Sequence, residues 1–494
     1  MLQLLDLPPD ILLHLVQYLE VEDALSFLKL SSDLRNLFQV YERVCLIKTL
    51  SLTRQSRPIP CAPSEDIAQY DVKTLQRLVQ HFTRLNHNWR SDKPQPIQPI
   101  RTLTVDKRLD TVAHIPGTNY VITHSFLKSR LSVWSTLNGK RVCTIPCHQR
   151  MLDLSTGWSE RGKFTIALLT NLGGDTNPTG IQVLTVDYSG PKVTINISWS
   201  RQLQQVEARC FRAIFMNAEV VGVLYMHYSR TSDLPSPLHV LAFNRLTGKE
   251  TDICVCPSLS PDEHRRIWQI GQVGTSFWND NLYIHSESDI ISYQQWVPRE
   301  LLPYGDNLHI AAHMVFTPEH IPFVQHPPQM RYETSASHVQ LEGILTTQSD
   351  FGVMASTIYC ISDDASPVTL INFWVIDKAS LTMAQKSNRL PIPTLYPCVV
   401  IPGTIRGSDM SAWYLCQSTN CGTYLILLSD NQEMQGIKLH MVNFQIPERR
   451  FTVHAIDLPP FIRLHLISGF FVDEYRGTVT LYQAKGRMFV LHFA

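Results

Sequence analysis

Four histidines, His309, His313, His320 and His326, crowd one short stretch of this chain. Neutral imidazoles ligate zinc, and an i, i+4 pair such as His309 and His313 could share one helix face. A closed site needs more ligands, yet no cysteine stands in the stretch and Glu319 is its nearest acid. A polar loop accounts for these histidines better than a metal does. Cys143, Cys147 and His148 lie in CTIPCH, one residue too long between the cysteines for haem attachment, and Cys143 reads as a strand residue packed in a core. Cys254 and Cys256 would point to one side of a strand, a poor start for tetrahedral zinc. GQVGTS at Gly271 lacks both the spacing and the lysine of a phosphate loop, and no G-x-S-x-G elbow occurs. Arg265-Arg266 and Arg449-Arg450 could grip acidic or phosphorylated groups bidentately. Adjacent surface arginines are more often plain solvated charge. The expectation is a chain with no cofactor and no metal, and not an enzyme.

Composition narrows the remaining classes. Equal numbers of basic and acidic residues, 43 each, argue against a nucleic-acid partner, which needs a basic excess. No apolar run approaches the length of a membrane span, so no membrane role is expected. The N-terminal apolar stretch is cut by Asp6, Pro8, Pro9 and Asp10, unlike a signal peptide. The expected location is cytoplasmic, nuclear or both. There the 11 scattered cysteines would stay reduced and serve as small buried hydrophobes.

The elements fall into three regimes: residues 1–50 helical, 51–99 a linker, and 100–494 strands and turns. Pro8 and Pro9 bar helix before Asp10, whose charge suits a helix N-terminus. Ile11, Leu15 and Leu19 recur at i, i+4, i+8, with Leu12 and Val16 beside them, forming a broad apolar stripe. Ala24, Leu25, Phe27 and Leu28 mark a second short helix. Ser31 and Ser32 offer caps to a third, whose apolar face runs through Leu34, Leu37, Phe38, Tyr41 and Val44. In the linker, SRPIPCAPSE is too rich in proline for regular structure. Residues 71–89 form an amphipathic helix with Leu75, Leu78, Val79, Phe82, Leu85 and Trp89 on one side, expected to pack on its neighbours, and SDKPQPIQP stops it.

Beyond residue 100, short alternating runs are divided by turns. Asn138-Gly139 is a strong hairpin signal because its turn needs positive φ. Similar turns follow at Ser189-Gly190 and Thr247-Gly248. Less clear ones lie near Val297-Pro298, Asp377-Lys378, Pro447-Glu448 and Lys485-Gly486. Gly139, Gly190 and Gly248 recur at roughly 50 to 60 residues, the length of a repeat unit of about four strands. Such units stack radially into a propeller of about seven blades. Residues 303–340, rich in Pro and His, read as a long insertion.

The first 50 residues resemble an F-box. The match is carried by Leu7-Pro8, the acid at Asp10, the Ile11/Leu15/Leu19 stripe, Asp23, Leu25, Leu28 and SSDLRNLF. The resemblance implies docking on a Skp adaptor within a cullin ubiquitin ligase core. The residues carrying that contact would be Leu7, Pro8, Ile11, Leu12, Leu15, Val16, Leu19, Leu25, Leu28, Leu34 and Leu37. An α+β multidomain chain is expected: a three-helix F-box, a helical linker and an all-β propeller, loosely WD-repeat-like at SVWSTLNGK, that binds a protein substrate. The competing expectation is a propeller scaffold outside any ligase, with the helices as a cap.

Overall fold

The computed structural model describes residues 7–16, 18–56, 58–106, 109, 111–155, 157–171, 179–203, 209–227, 238–255, 273–278, 280–287, 291–305, 313–316, 321–325, 332–340, 351–361, 368–377, 383, 394–402, 404–405, 416–418, 424–431, 436–445 and 450–494. Among the described residues five α-helices precede the first strand: α1 (Pro9–Val16), α2 (Val21–Leu28), α3 (Ser32–Val40), α4 (Glu42–Ser56) and α5 (Val72–Trp89). Ser31 caps α3 as expected, its hydroxyl accepting the N–H groups of Asp33 and Leu34 at 3.0 and 3.4 Å. The apolar face assigned to the third helix does not continue through Val44. Tyr41 leaves the helical conformation and α4 starts afresh at Glu42, crossing residue 50 without a break. Tyr41 and Val44 are therefore exposed, while Cys45, Leu46 and Leu50 face inward.

Val16, Val21, Ala24, Phe38, Leu46, Leu50, Leu75, Val79 and Phe82 share one core. Leu50 is fully enclosed. Leu50→Ala should cost about 2–5 kcal/mol of stability, read as a lowered denaturant midpoint, because the helices around it cannot collapse fully into the void. The proline-rich segment after α4 has few N–H groups of its own, and α4 supplies donors to its carbonyls. Arg54 binds the carbonyl oxygens of Glu65 at 2.7 Å and Ala62 at 3.2 Å. Arg43 binds those of Ala68 and Tyr70 at 2.6 and 3.3 Å.

The strands form seven sheets of four or five strands among the described residues, antiparallel but for one parallel pair. Blade 1 runs Thr111–His114, Tyr120–Ser125, Arg130–Ser135, Arg141–Pro146, each pairing with the next. Blades 2 to 6 begin at Arg150, Arg209, Val273, Tyr332 and Thr404. Blade 7 comprises Ile467–Asp473, Thr478–Gln483, Arg487–His492 and, as its outer strand, Ile97–Thr104 from the other end of the chain. That pairing closes the ring, so no sheet is left open between first and last blades. The outer strand starts at Ile97, inside the segment read as linker.

Stacking explains the sequence pattern. A middle strand is covered on both faces by neighbouring blades, so KFTIALLTN at Lys163–Asn171 is buried almost throughout instead of alternating. The outermost strand Thr194–Gln202 is mostly exposed and polar, which suits a sheet edge. Asn138-Gly139, Ser189-Gly190 and Thr247-Gly248 join the third and fourth strands of blades 1, 2 and 3, which is why they recur evenly. Gly139 and Gly248 have φ of 68° and 72°. Lys485-Gly486 joins the second and third strands of blade 7. Pro447-Glu448 and Lys378 lie outside the described residues, although the strands on either side of them pair.

Two expectations are corrected. No hairpin forms at Val297-Pro298. The strand Ile291–Val297 ends there, and Arg299–Leu301 make a 3-10 turn that buries Leu302 and Tyr304. Nor are residues 303–340 an insertion outside the fold. They contain His313–Phe316, which adds to blade 3 parallel to Glu250–Val255, and Ile321–Gln325, the fourth strand of blade 4. Tyr332–Gln340, the first strand of blade 5, completes the stretch. The chain leaves blade 4, visits blade 3 and returns, so strand order departs from sequence order here.

Candidate docking surface

The expected contact residues separate by helix face. Ile11 and Leu15 are exposed (42% and 38%), as is Pro8. Leu7, Leu19 and Leu25 are half-buried. Leu12, Val16 and Leu34 turn inward and are buried in the chain's own helical unit. The side chains of Leu28 and Leu37 lie outside the described residues. Beside Ile11 and Leu15, the sequence reading missed Tyr18, Leu30 and Val40, which are 68%, 69% and 75% exposed. Tyr18 follows Leu15 by three residues, so the helical period already placed it on that face. Its ring meets His14 edge-on with centroids 5.1 Å apart. Exposed large apolar side chains on a small helical unit suit a protein-contact site.

The helices are not a free tether. The first half of α5 (Leu75, Val79, Phe82) belongs to the helical core, and Leu85 and Trp89 at its end belong to the core of blades 6 and 7. Trp89 packs edge-on against Tyr424 and Phe493, with centroids 4.6 and 6.1 Å apart. Asn88 donates to the carbonyl of Phe493 at 2.7 Å, and His81 meets that of Arg476 at 3.0 Å. From the same helix Asn86 bonds to Glu22 of α2, which also lies 3.8 Å from Arg90. One helix thus ties the docking unit to both the last blade and the C-terminus.

Gly117, in the turn between the first two strands of blade 1, ties that blade to blade 7. Its N–H donates to both carboxylate oxygens of Asp473, at 3.2 and 3.1 Å. Asp473 is fully enclosed and lies 3.5 Å from His114. Burial pushes the Asp473 carboxyl above its usual range, with His114 opposing, and pushes the His114 imidazole below its own. The described arm contacts all fall on the propeller face bearing turns between first and second strands. The face bearing the turns between second and third strands points away from the helices.

The other chemical candidates divide between described and undescribed residues. His309, His320, His326, Cys256, Arg265, Arg266, Gly271 and Arg449 lie outside the described residues. His313 and Arg450 are in strands. Cys143 and Cys147 have thiols pushed up by burial, as packed hydrophobes should. No metal-holding group of His, Cys, Asp or Glu exists among the described residues, and no described helix is long and apolar enough to cross a membrane.

Residues 4–43 match the family model of the F-box domain. The chain carries that domain at its N-terminus, followed by a propeller. No curated protein matches the chain. Among solved structures it is similar to the β-propeller domain of Cps50 (Swd1) from Myceliophteria thermophila, at 9% identity over 80% of this chain and 99% of that one, TM-score 0.45. It is also similar to hydrazine synthase of Kuenenia stuttgartiensis, at 9% identity over 76% and 92% of the two chains, TM-score 0.37. A third similarity is to Hsv2 of Kluyveromyces lactis, at 11% identity over 77% and 91%, TM-score 0.34. At such scores the propeller rests on its own sheet order and ring closure. An F-box domain implies an adaptor role in a ubiquitin ligase through a Skp-type partner, and such modules are typically non-enzymatic.

Proposed function

We propose that this chain is the substrate-recognition subunit of a Skp–cullin–F-box ubiquitin ligase acting in the cytoplasm or nucleus. The helical unit binds the Skp adaptor, and the propeller holds a protein substrate. Catalysis belongs to the partners, and this chain contributes proximity by presenting substrate lysines at a set distance. The observation that carries the reading is the F-box match at residues 4–43 together with the exposed Ile11/Leu15 surface on it. The docked α5 supports it, because a fixed arm turns two binding events into one geometry.

The test is capture of a co-expressed Skp adaptor. Ile11→Asp with Leu15→Asp should cut retention at least about tenfold, since an unpaired charge at an apolar contact loses both burial and solvation. Both side chains are exposed in the free chain, so helicity and melting should hardly change. Undiminished retention by a folded double variant would return the chain to the scaffold reading.

A further inference from the structure

The ring closes at a seam between blade 1 and blade 7, the blade that joins both ends of the chain. Leu103, Met488 and Val490 of blade 7 pack there with Val121 and Trp134 of blade 1. Arg101 stands two residues before Leu103, and His492 two after Val490. Strand alternation therefore puts both on the face toward blade 1. Arg101 pairs with Val490, so the two lie one step apart on the ladder. His492 also pairs with Thr478, and Arg476 lies two residues before Thr478 in the turn that opens its strand. Nη1 of Arg101 reaches across the seam to the carbonyls of Thr136 and Leu137 in blade 1, at 3.4 and 3.3 Å.

These groups lack an anionic partner. The Arg476 guanidinium is half-buried and makes no hydrogen bond or ion pair among the described residues. The two acids that act on it are engaged elsewhere. Asp473 accepts the N–H groups of Gly117 and Tyr475, and Glu65 accepts the Tyr70 hydroxyl. His492 Nε2 is buried with no partner among the described residues. Burial, and after it Arg101, Arg476 and His81, hold the His492 imidazole down to about 4, and no acid offsets them. Helix α5 lies against the same turn. His81 Nε2 bonds to the Arg476 carbonyl at 3.0 Å, and a Cβ on Gly477 would overlap Leu85. Cationic groups gathered beneath a helix with donors unfilled are costly unless an anion joins them.

We propose that the seam under α5 binds a small phosphate-class anion, gripped by Arg476 and Arg101 with His492 Nε2 as a further donor. Guanidinium groups offer forked N–H donors to tetrahedral oxygens, and a neutral imidazole donates from Nε2 in that tautomer. The site lies beneath the chain's own helix, which favours a free anion over a phosphorylated macromolecule. Bound there, the anion links the closing strand Ile97–Thr104, the last blade and, through Arg101, blade 1. It staples the seam where both ends of the chain meet. The inference stands on the propeller and the arm and does not need the ligase reading.

The probe is inorganic phosphate, exchanged for chloride at constant ionic strength on the full chain and followed by thermal melting. Phosphate should raise the wild-type Tm saturably, and Arg101→Gln with Arg476→Gln should need at least about tenfold more of it for the same rise. Arg201→Gln removes an exposed guanidinium of blade 2 and should respond as wild type does, which controls for a general loss of positive charge. NMR of isotope-labelled histidines gives a second readout. Phosphate should move one imidazole signal, the one missing from His492→Gln. ATP, a bulkier phosphate, should bind more weakly than phosphate itself, and equal or tighter binding would overturn the assignment to a free anion. An equal response by wild type and R101Q/R476Q, or chloride matching phosphate, would overturn the site. Should R101Q/R476Q not fold, the histidine signal decides: a His492 resonance that phosphate leaves unmoved sinks the proposal.

Discussion

Gly117→Val is expected to pry the helical arm off the propeller and to lower stability by about 3–5 kcal/mol. Gly117 sits at φ 73°, a region costing a side-chain-bearing residue roughly 1–2 kcal/mol, and more when the residue is β-branched. Space is the larger problem. A Cβ there would stand 2.6 Å from the Ala62 Cα, the Ala62 nitrogen and the Cys61 oxygen. All three are main-chain atoms, so no rotamer change can relieve the overlap. The segment that Arg54 holds against α4 would have to lift away, and the Gly117 hydrogen bonds to Asp473 would go with it. Gly248→Val is the control, because Gly248 has φ 72° and nothing within 4 Å of its would-be Cβ. It carries the backbone cost alone. Urea midpoints for both variants, with limited proteolysis around residues 57–66, would check this. Equal losses in the two would mean that the arm is not wedged against blade 1. If the ligase reading holds, a loosened arm should keep adaptor capture while slowing substrate ubiquitination.

The second large effect concerns Asp153. Burial raises its carboxyl to about 7, while the N–H groups of Ile214 and Leu154 pull the other way. The folded pKa therefore exceeds the unfolded value of about 3.9, so the folded state binds the extra proton between them. Stability contributed at this position declines as pH climbs from about 4 to about 7 and is flat above. Asp153→Asn keeps an amide oxygen for the Ile214 N–H and removes the titration. The variant should match wild type near pH 4 and exceed it by about 2–4 kcal/mol at pH 8, the difference growing through the interval. Comparing the two proteins at each pH cancels the other titrating groups, including the buried His440 and His492, both held down near about 4. A pH-independent gap would show that Asp153 is already ionised in the folded chain.

Both effects arise where strands from different blades or the arm meet, and neither site shows itself in the linear chain. Helices α1 and α2 and the start of α3 were legible because proline, Ser31 and the 3.6-residue period act over a few residues. The same holds for Asn138-Gly139 and Thr247-Gly248, whose positive φ is a demand of the turn itself. The blade recurrence was legible for the first three units, where strand order follows sequence order. It was obscured where the chain crosses to give His313–Phe316 to blade 3, because pairing across that distance has no local signature. The stripe on α1 was visible as apolar, but its division into an inward Leu12/Val16 side and an outward Ile11/Leu15/Tyr18 side was not. Which face is covered depends on α3 and α4, and α4 itself was hidden by the helical spacing that runs on past Tyr41.

Alone, then, the sequence determined the kinds of element, the N-terminal docking unit and the repeating strand architecture, since each is written in short-range periodicity and turn chemistry. Tertiary structure alone decided that Ile97–Thr104 closes the last blade and that Gly117 admits the backbone at Ala62. It also placed bulges at Leu152 and Arg212 in the first strands of blades 2 and 3. These join residues far apart along the chain, and their positions follow from packing geometry that no short stretch encodes.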